Sequence, residues 1–215
     1  ERRIVNVANA VNATDAVNLS QLNAAVAGAG FAGADYVTVN SDGGAASATG
    51  DDAIAFGEDS VSGGAGSIAL GADASAADGR TVAIGKDATG AGTGSIAIGG
   101  SASTSEGRSI AIGYLASAAG FSAALGNDAA ATGASSTAIG SFTAASGGNA
   151  TALGNRASTS GDNSVSLGAY SETTANNAAA IGALSEASGS NSVAIGFQST
   201  TLANQSNVVS FGTSY

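Results

Sequence analysis

The sequence contains no cysteine, proline, methionine, tryptophan or histidine. Without cysteine there is neither a disulfide framework nor a thiolate metal site. Without histidine the usual general base and the commonest transition-metal ligand are both missing. Aromatic residues make up 5% of the chain and charged residues 10%. Six basic residues stand against 16 acidic ones, a formal net charge of −10. Nucleic acid, heparin and anionic lipid each need a cationic footprint, so all three are poor partners. No apolar run reaches the roughly 18 residues of a bilayer-spanning helix, and no N-terminal signal pattern is present. These absences describe an internal, water-soluble piece of something longer. What remains is 44% hydrophobic and holds 33 glycines. Apolar content so rich in alanine packs only in a narrow structure whose backbones lie close together.

One phrase recurs. "SIAIG" stands at 95–99 and again at 109–113, with near copies "SIALG" (67–71), "TVAIG" (81–85), "SVSLG" (164–168) and "SVAIG" (192–196). The closing glycine falls at Gly57, Gly71, Gly85, Gly99, Gly113, Gly126, Gly140, Gly154, Gly168, Gly182, Gly196 and Gly212. Steps are 14 residues except for one of 13 (Gly113 to Gly126) and one of 16 (Gly196 to Gly212). That period is too short for helical-pair or leucine-rich solenoids. It holds two short strands and two tight turns, one coil of a parallel β-solenoid. The calcium-binding nonapeptide repeat has another period and a regular Asp that is absent here. The odd coils predict a shorter turn near Tyr114–Phe121 and a longer loop near Thr201–Asn207.

The columns of the repeat show which way side chains point. One residue before each glycine come Phe56, Leu70, Ile84, Ile98, Ile112, Leu125, Ile139, Leu153, Leu167, Ile181, Ile195 and Phe211. Three before come Ile54, Ile68, Val82, Ile96 and Ile110, a softer Ala123, Thr137 and Thr151, then Val165, Ala179, Val193 and Val209. The residue between is always Ala or Ser. Neighbours in a strand face opposite ways. Three and five residues after each glycine from Gly57 to Gly196, every residue is Ala, Ser, Thr or Gly. Either the large columns fill the roll against these small ones, or the small columns line the interior and the large ones lie outside on one sheet. The second arrangement is preferred, because a 14-residue coil is too small to enclose two large columns. It leaves an apolar stripe roughly 50 Å long over eleven strand-to-strand steps. A monomer does not tolerate such a band, and cyclic symmetry would bury it against copies of itself.

The first forty residues lie outside the repeat. Ile4, Val5 and Val7 form a short apolar run around Asn6. "TDAVNLSQLNAAV" reads as a helix capped by Thr14 or Asp15, with Val17, Leu22 and Val26 on roughly one face and Gly28 and Gly30 at its end. Alone it is marginal, and it makes sense as a short coiled coil of several chains. "DYVTVNS" (35–41) alternates as a strand.

The period-14 "SVAIG" coil together with "RRIVNVA…TDAVNLSQL" resembles the head and neck of the YadA-like trimeric autotransporter adhesins. The resemblance implies a left-handed parallel β-roll in an intertwined homotrimer. It implies a neck-like motif over 1–22, a short coiled-coil helix over 15–28 overlapping it, a connector with one strand over 29–44, and a head over 45–215. The neck and coiled-coil positions are Arg2, Arg3, Ile4, Asn6, Val7, Asp15, Val17, Asn18, Gln21, Leu22 and Val26. The trimer core is expected from Ile54, Phe56, Ile68, Leu70, Val82, Ile84, Ile96, Ile98, Ile110, Ile112, Leu125, Ile139, Leu153, Val165, Leu167, Ile181, Val193, Ile195, Val209 and Phe211. Here the neck precedes the head instead of following it, as in a slice of a fibre that alternates heads, necks and coiled coils. The implied location is the extracellular part of a bacterial outer-membrane protein, anchored by a C-terminal barrel absent from this sequence. The implied partners are host matrix proteins or cells.

No catalytic, metal or cofactor site is expected. The turn carboxylates (Glu58, Asp59, Asp73, Asp78, Asp87, Glu106, Asp128, Asp162, Glu172, Glu186) read as solvated charges that keep a β-forming chain soluble, with no cleft for paired-carboxylate glycosidase chemistry. "DGR" (78–80) and "EGR" (106–108) place two turn arginines two coils apart. The expected function is adhesion through a repetitive trimeric surface, the alternative a non-binding spacer within the fibre. An ice-binding solenoid would need a regular Thr array. A pectin-cleaving β-helix would need longer coils with clustered catalytic charges.

Overall fold

A computed structural model describes residues 7–12, 14–28 and 43–212. The chain divides into two units, Glu1–Asn40 and Ser41–Tyr215. In the second unit each coil contributes one two-residue and one three-residue strand. The two-residue strands run from Ser47–Ala48 to Thr200–Thr201 and form one twelve-stranded sheet. The three-residue strands run from Ile54–Phe56 to Val209–Phe211 and form another. All pairings are parallel and join equivalent positions of neighbouring coils: Ile96 with Ile110, Ala97 with Ala111, Ile98 with Ile112. Register survives both irregular steps. Across the 13-residue step Ile112 pairs Leu125, and across the 16-residue step Ile195 pairs Phe211.

The small columns are inside. Ala69, Ala83, Ala97, Ala111, Ala124, Ala138, Ala152, Ser166, Ala180 and Ala194, at the centre of the long strands, are fully buried. So are the small residues of the short strands, such as Ser62, Ala76, Ala131, Ala145 and Thr173. Threonine is the largest side chain that is fully buried. The interior is therefore too narrow for Ile or Leu, which decides the orientation left open by the sequence. A further inward column begins each phrase: Ser67, Thr81, Ser95, Ser109, Ser122, Ser136, Ser164 and Ser192. Their hydroxyls bond carbonyls of the turn before or of residues further along the chain, or other buried hydroxyls: Thr81 Oγ1 donates to the Gly92 carbonyl at 3.2 Å, and Ser95 Oγ accepts from Thr104 Oγ1 at 3.0 Å. Ser67 Oγ reaches the Gly64 carbonyl at 2.7 Å and Ser109 Oγ that of Glu106 at 2.6 Å, while Ser62 and Ser67 share a bond of 2.6 Å. Buried hydroxyls are costly only when unpaired. Among the described residues no buried side-chain polar atom lacks a partner.

Each coil turns two corners, and each corner takes a residue with positive φ. The closing glycines from Gly57 to Gly196 have φ between 116° and 143°, a region essentially closed to side chains. A Cβ on Gly99 would also lie 2.3 Å from the Gly113 carbonyl oxygen, so glycine is required twice over. Two residues on, a left-handed position recurs at Asp59, Asp73, Asp87, Ser101, Leu115, Asp128, Phe142, Arg156, Tyr170, Leu184 and Gln198. The opposite corner repeats it at Arg80, Arg108, Phe121, Ser135, Asn149, Asn163, Asn177, Asn191 and Asn207. Asn and Asp suit this geometry, whereas bulky residues cost about 1 kcal/mol or more there. The N–H groups at these positions pair with the previous coil, as Phe142 N does with the Asn127 carbonyl at 2.8 Å. Both length changes fall at this opposite corner, one residue removed within Ala119–Phe121 and two added within Leu202–Asn207.

In the N-terminal unit a helix spans Leu19–Gly28. It begins four residues later than the sequence suggested, and its cap is neither Thr14 nor Asp15. Asn18 caps it: its Oδ1 accepts from Gln21 N at 3.0 Å and from Ser20 Oγ at 2.7 Å, while Gln21 Oε1 reaches back to Asn18 N at 3.4 Å. That reciprocal pair is a capping box with Asn and Gln in its two places. Asp15 closes a separate turn, accepting from Val11 N at 3.0 Å and Asn12 N at 2.8 Å. Arg2, Arg3, Ile4, Asn6, the strand expected over 35–41 and most of the 29–44 connector lie outside the described residues, as does the side chain of Val26.

Candidate functional site: an exposed apolar sheet and its rims

The outer face of the long-strand sheet carries every residue expected in the trimer core, and none of them is buried. Ile54 is 56% exposed, Val165 38%, Leu167 41% and Phe211 76%. Ile68, Val82, Ile84, Ile96, Ile98, Ile110, Leu125, Val193 and Ile195 are half-buried. Phe56, Leu70, Ile112, Ile139, Leu153, Ile181 and Val209 are exposed. The parallel ladder brings these side chains into two continuous rows along one face. Apart from Val61, the opposite sheet turns small or polar residues outward, including Ser103, Ser117, Ser158, Glu172 and Glu186.

Two rims flank the apolar face. The first rim is the pair of residues following each closing glycine. In the early coils it is charged: Lys86 Nζ lies 2.7 Å from Asp87 and 3.8 Å from Asp73. The Asp87 hydrogen bond and charge raise the Lys86 ammonium above its ordinary value. In the later coils it is mixed: Tyr114, Leu115, Phe142, Tyr170, Leu184 and Phe197 are all exposed, and Asn127, Asp128, Asn155, Arg156 and Gln198 stand among them. Arg156 sits between two of these rings, its Cζ 5.1 Å from the centre of Phe142 and 5.8 Å from that of Tyr170. The second rim is the left-handed corner before each long strand, and it is largely polar. Here Arg80 and Arg108 both stand at turn positions, and Arg108 Cζ lies 5.7 Å from the Phe121 ring. Further along, Asn149 Nδ2 donates to Asn163 Oδ1 at 3.1 Å.

The N-terminal candidates gather around the helix start. Asn18 Nδ2 donates to the Val7 carbonyl at 3.2 Å and to Asn9 Oδ1 at 2.8 Å. Gln21 takes both sides of Ala10, accepting from its N–H at 2.8 Å and donating to its carbonyl at 3.1 Å. Asn18 and Gln21 thus tie the 7–12 segment to the first helical turn. Backbone N–H groups of Asn12 and Val11 hold the Asp15 carboxyl below its ordinary value. Val17, Leu19 and Leu22 are exposed, at 62%, 70% and 50%.

Sequence reading missed the inward Ser/Thr column, whose signal was the small first letter of every phrase. It also missed the rim rings, because bulky residues at left-handed corners carry no turn signal.

A parallel β-solenoid with one largely apolar outer sheet defines a class: repeat proteins that complete their core by self-association. The comparisons with known proteins name the family. The model described as the YadA head domain repeat matches seven segments between residues 43 and 213. The model described as the coiled stalk of trimeric autotransporter adhesin matches 3–45. Among solved structures the chain is similar to the collagen-binding domain of Yersinia adhesin YadA, at 32% identity over 79% of this chain and 70% of that one, with a TM-score of 0.37. No curated protein matches the chain significantly. The chain belongs to the YadA-like trimeric autotransporter adhesin family, and its head repeats form the described β-roll.

Proposed function

We propose that this chain is an extracellular segment of a homotrimeric adhesin fibre on a bacterial surface, and that it attaches the cell to host matrix. The observation that carries the reading is the apolar outer sheet. One unbroken row of Ile, Leu and Phe about 50 Å long, beside a second of Ile and Val that softens to Ala123, Thr137, Thr151 and Ala179, is not left to water on a stable monomer. Threefold assembly buries them with one repeated contact, and burying the exposed half of each side chain contributes about 1 kcal/mol. Ile54, Phe56, Ile96, Ile98, Ile110, Ile112 and their column mates then form the inter-chain core. Residues 1–22 act as a neck, the helix joins its copies in a short coiled coil, and 29–44 lead into the 45–215 head. Attachment to the outer membrane runs through an anchor elsewhere in the fibre.

The family and fold support a binding or structural role rather than catalysis. Matrix binding is supported by the likeness to a collagen-binding domain, and three copies of many coils supply avidity without a deep pocket. The test is retention of the purified 215-residue chain on immobilised matrix proteins, collagen first. Saturable retention supports an adhesive segment. Retention no greater than on albumin leaves a spacer within the fibre.

A further inference from the structure

Coil 164–177 differs from the rest of the roll inside and out. Its four inward side chains are Ser164, Ser166, Ser171 and Thr173, all fully buried. Among the described residues no other complete coil has a hydroxyl at each inward position. The alanine interior is interrupted there, one cluster ending at Ala157 and the next beginning at Ala178. Outside, exposed Glu172 pairs in register with exposed Glu186 of the following coil. Paired strands lie about 4.8 Å apart, and like charges so placed repel.

The buried hydroxyls bond within their own coil or to the coil before it. Ser166 Oγ lies 2.7 Å from both the Ser158 carbonyl and Thr173 Oγ1. Thr173 Oγ1 donates to the Val165 carbonyl at 3.0 Å, Ser171 Oγ to that of Gly168 at 2.8 Å, and Ser164 Oγ to that of Gly161. None reaches coil 178–191, where Ala178 takes the place that Ser164 and Ser192 hold in the coils on either side. One junction further on, Ser192 Oγ again donates back, to the Gly189 carbonyl. The junction between coils 164–177 and 178–191 therefore relies on its backbone ladder. Glu172 N reaches the Ser185 carbonyl at 2.8 Å, Gly182 N that of Leu167 at 2.7 Å and Leu184 N that of Ala169 at 2.9 Å. Among the described residues the one side-chain bond across it is the exposed Thr174–Ser188 contact at 3.1 Å.

We propose that this junction is a built-in opening point, where coils 164–177 and 178–191 part while the alanine clusters on either side stay closed. The stability of a solenoid is close to a sum of coil and junction contributions, so it opens first where a junction contributes least. Ser166 pairs with Ala180 in the ladder where Ala138 pairs with Ala152, so a methyl-on-methyl contact is missing. Parting breaks no buried hydroxyl bond and relieves the Glu172–Glu186 repulsion. The two short strands it frees each carry a glutamate, and charge on an open edge discourages pairing with another chain. The head thus yields at one place instead of unravelling, whether it binds matrix or only spaces the fibre.

The test is hydrogen exchange of the assembled full chain in low urea, read at single amides by fragmentation mass spectrometry. Glu172, Gly182 and Leu184 report the junction. Ser158 and Tyr170 report the junction before it, and Glu186 and Gln198 the one after. The expected wild-type result is protection lower by about tenfold or more at the first three than on both sides. Ala178→Ser plus Glu172→Gln supplies a hydroxyl like those of Ser164 and Ser192 and removes the like-charge pair, and should bring the three amides up to their neighbours. Ser166→Ala, which restores the alanine of its column, should narrow the gap by itself. Even protection across the three junctions overturns the proposal. So does a steady decline from the middle of the roll towards Gly212, which is fraying from an end. A gap that neither variant narrows overturns it as well.

Discussion

The two faces of the long-strand sheet are built from alternate letters of the same phrase, yet they obey opposite rules. Inward, Ala97 and its column mates are fully buried and nothing larger than threonine fits. Outward, Ile96 and Ile98 and their column mates are exposed or only half-buried. The inner face therefore closes the roll, by backbone ladders and close approach. The outer face is left uncovered by the chain itself, and in the trimer we propose it supplies the drive for assembly from the opposite side of the same three-residue strand.

The inner rules are the easiest to break. Gly99→Ala adds a Cβ at φ 133° and 2.3 Å from a carbonyl oxygen. We expect a loss above about 3 kcal/mol in urea unfolding, with the central coils opening first in hydrogen exchange. Ala111→Leu overfills the interior and costs about 2–3 kcal/mol in the same assay. The outward change Ile110→Ala, by contrast, leaves the roll's circular dichroism intact and lowers the assembled protein's melting temperature with a concentration dependence. A smaller effect of opposite sign sharpens the contrast with the rims. Leu115→Asn relieves a strained left-handed corner and raises stability by up to about 1 kcal/mol.

The smallest effect lies in the N-terminal unit. Asp15, with an ordinary value of 3.8, is held lower by backbone N–H groups. A depressed folded value means its contribution is full above 3.8 and is lost as pH falls through the lowered value. Amide exchange at Val11 and Asn12 is expected to speed up only in that acid range, and Asp15→Asn should flatten the dependence.

Much of this was legible because the repeat averages out local ambiguity. Twelve glycines in register define the coil, and the alternation in "SIAIG" shows which residues share a face. The 13- and 16-residue steps located the altered turns. What stayed hidden were places where one residue answers to two demands. Leu115, Phe142 and Tyr170 contradict the propensity of a left-handed corner, so no turn signal marks them. Thr14, Asp15 and Asn18 are all acceptable caps, and only Gln21 three residues after Asn18 singles out the last. The first Ser of each phrase was hidden by its polarity, since a hydroxyl looks like surface until its carbonyl partner is in view.

The central claim is that the outer columns are an inter-chain core and not decoration. The most direct measurement is the mass of the chain by sedimentation, for the wild type and for Ile98→Asp plus Ile112→Asp. The account predicts a trimer for the wild type and a dissociated chain for the double variant. A wild type that sediments as a stable monomer, or a double variant that remains trimeric, would contradict it.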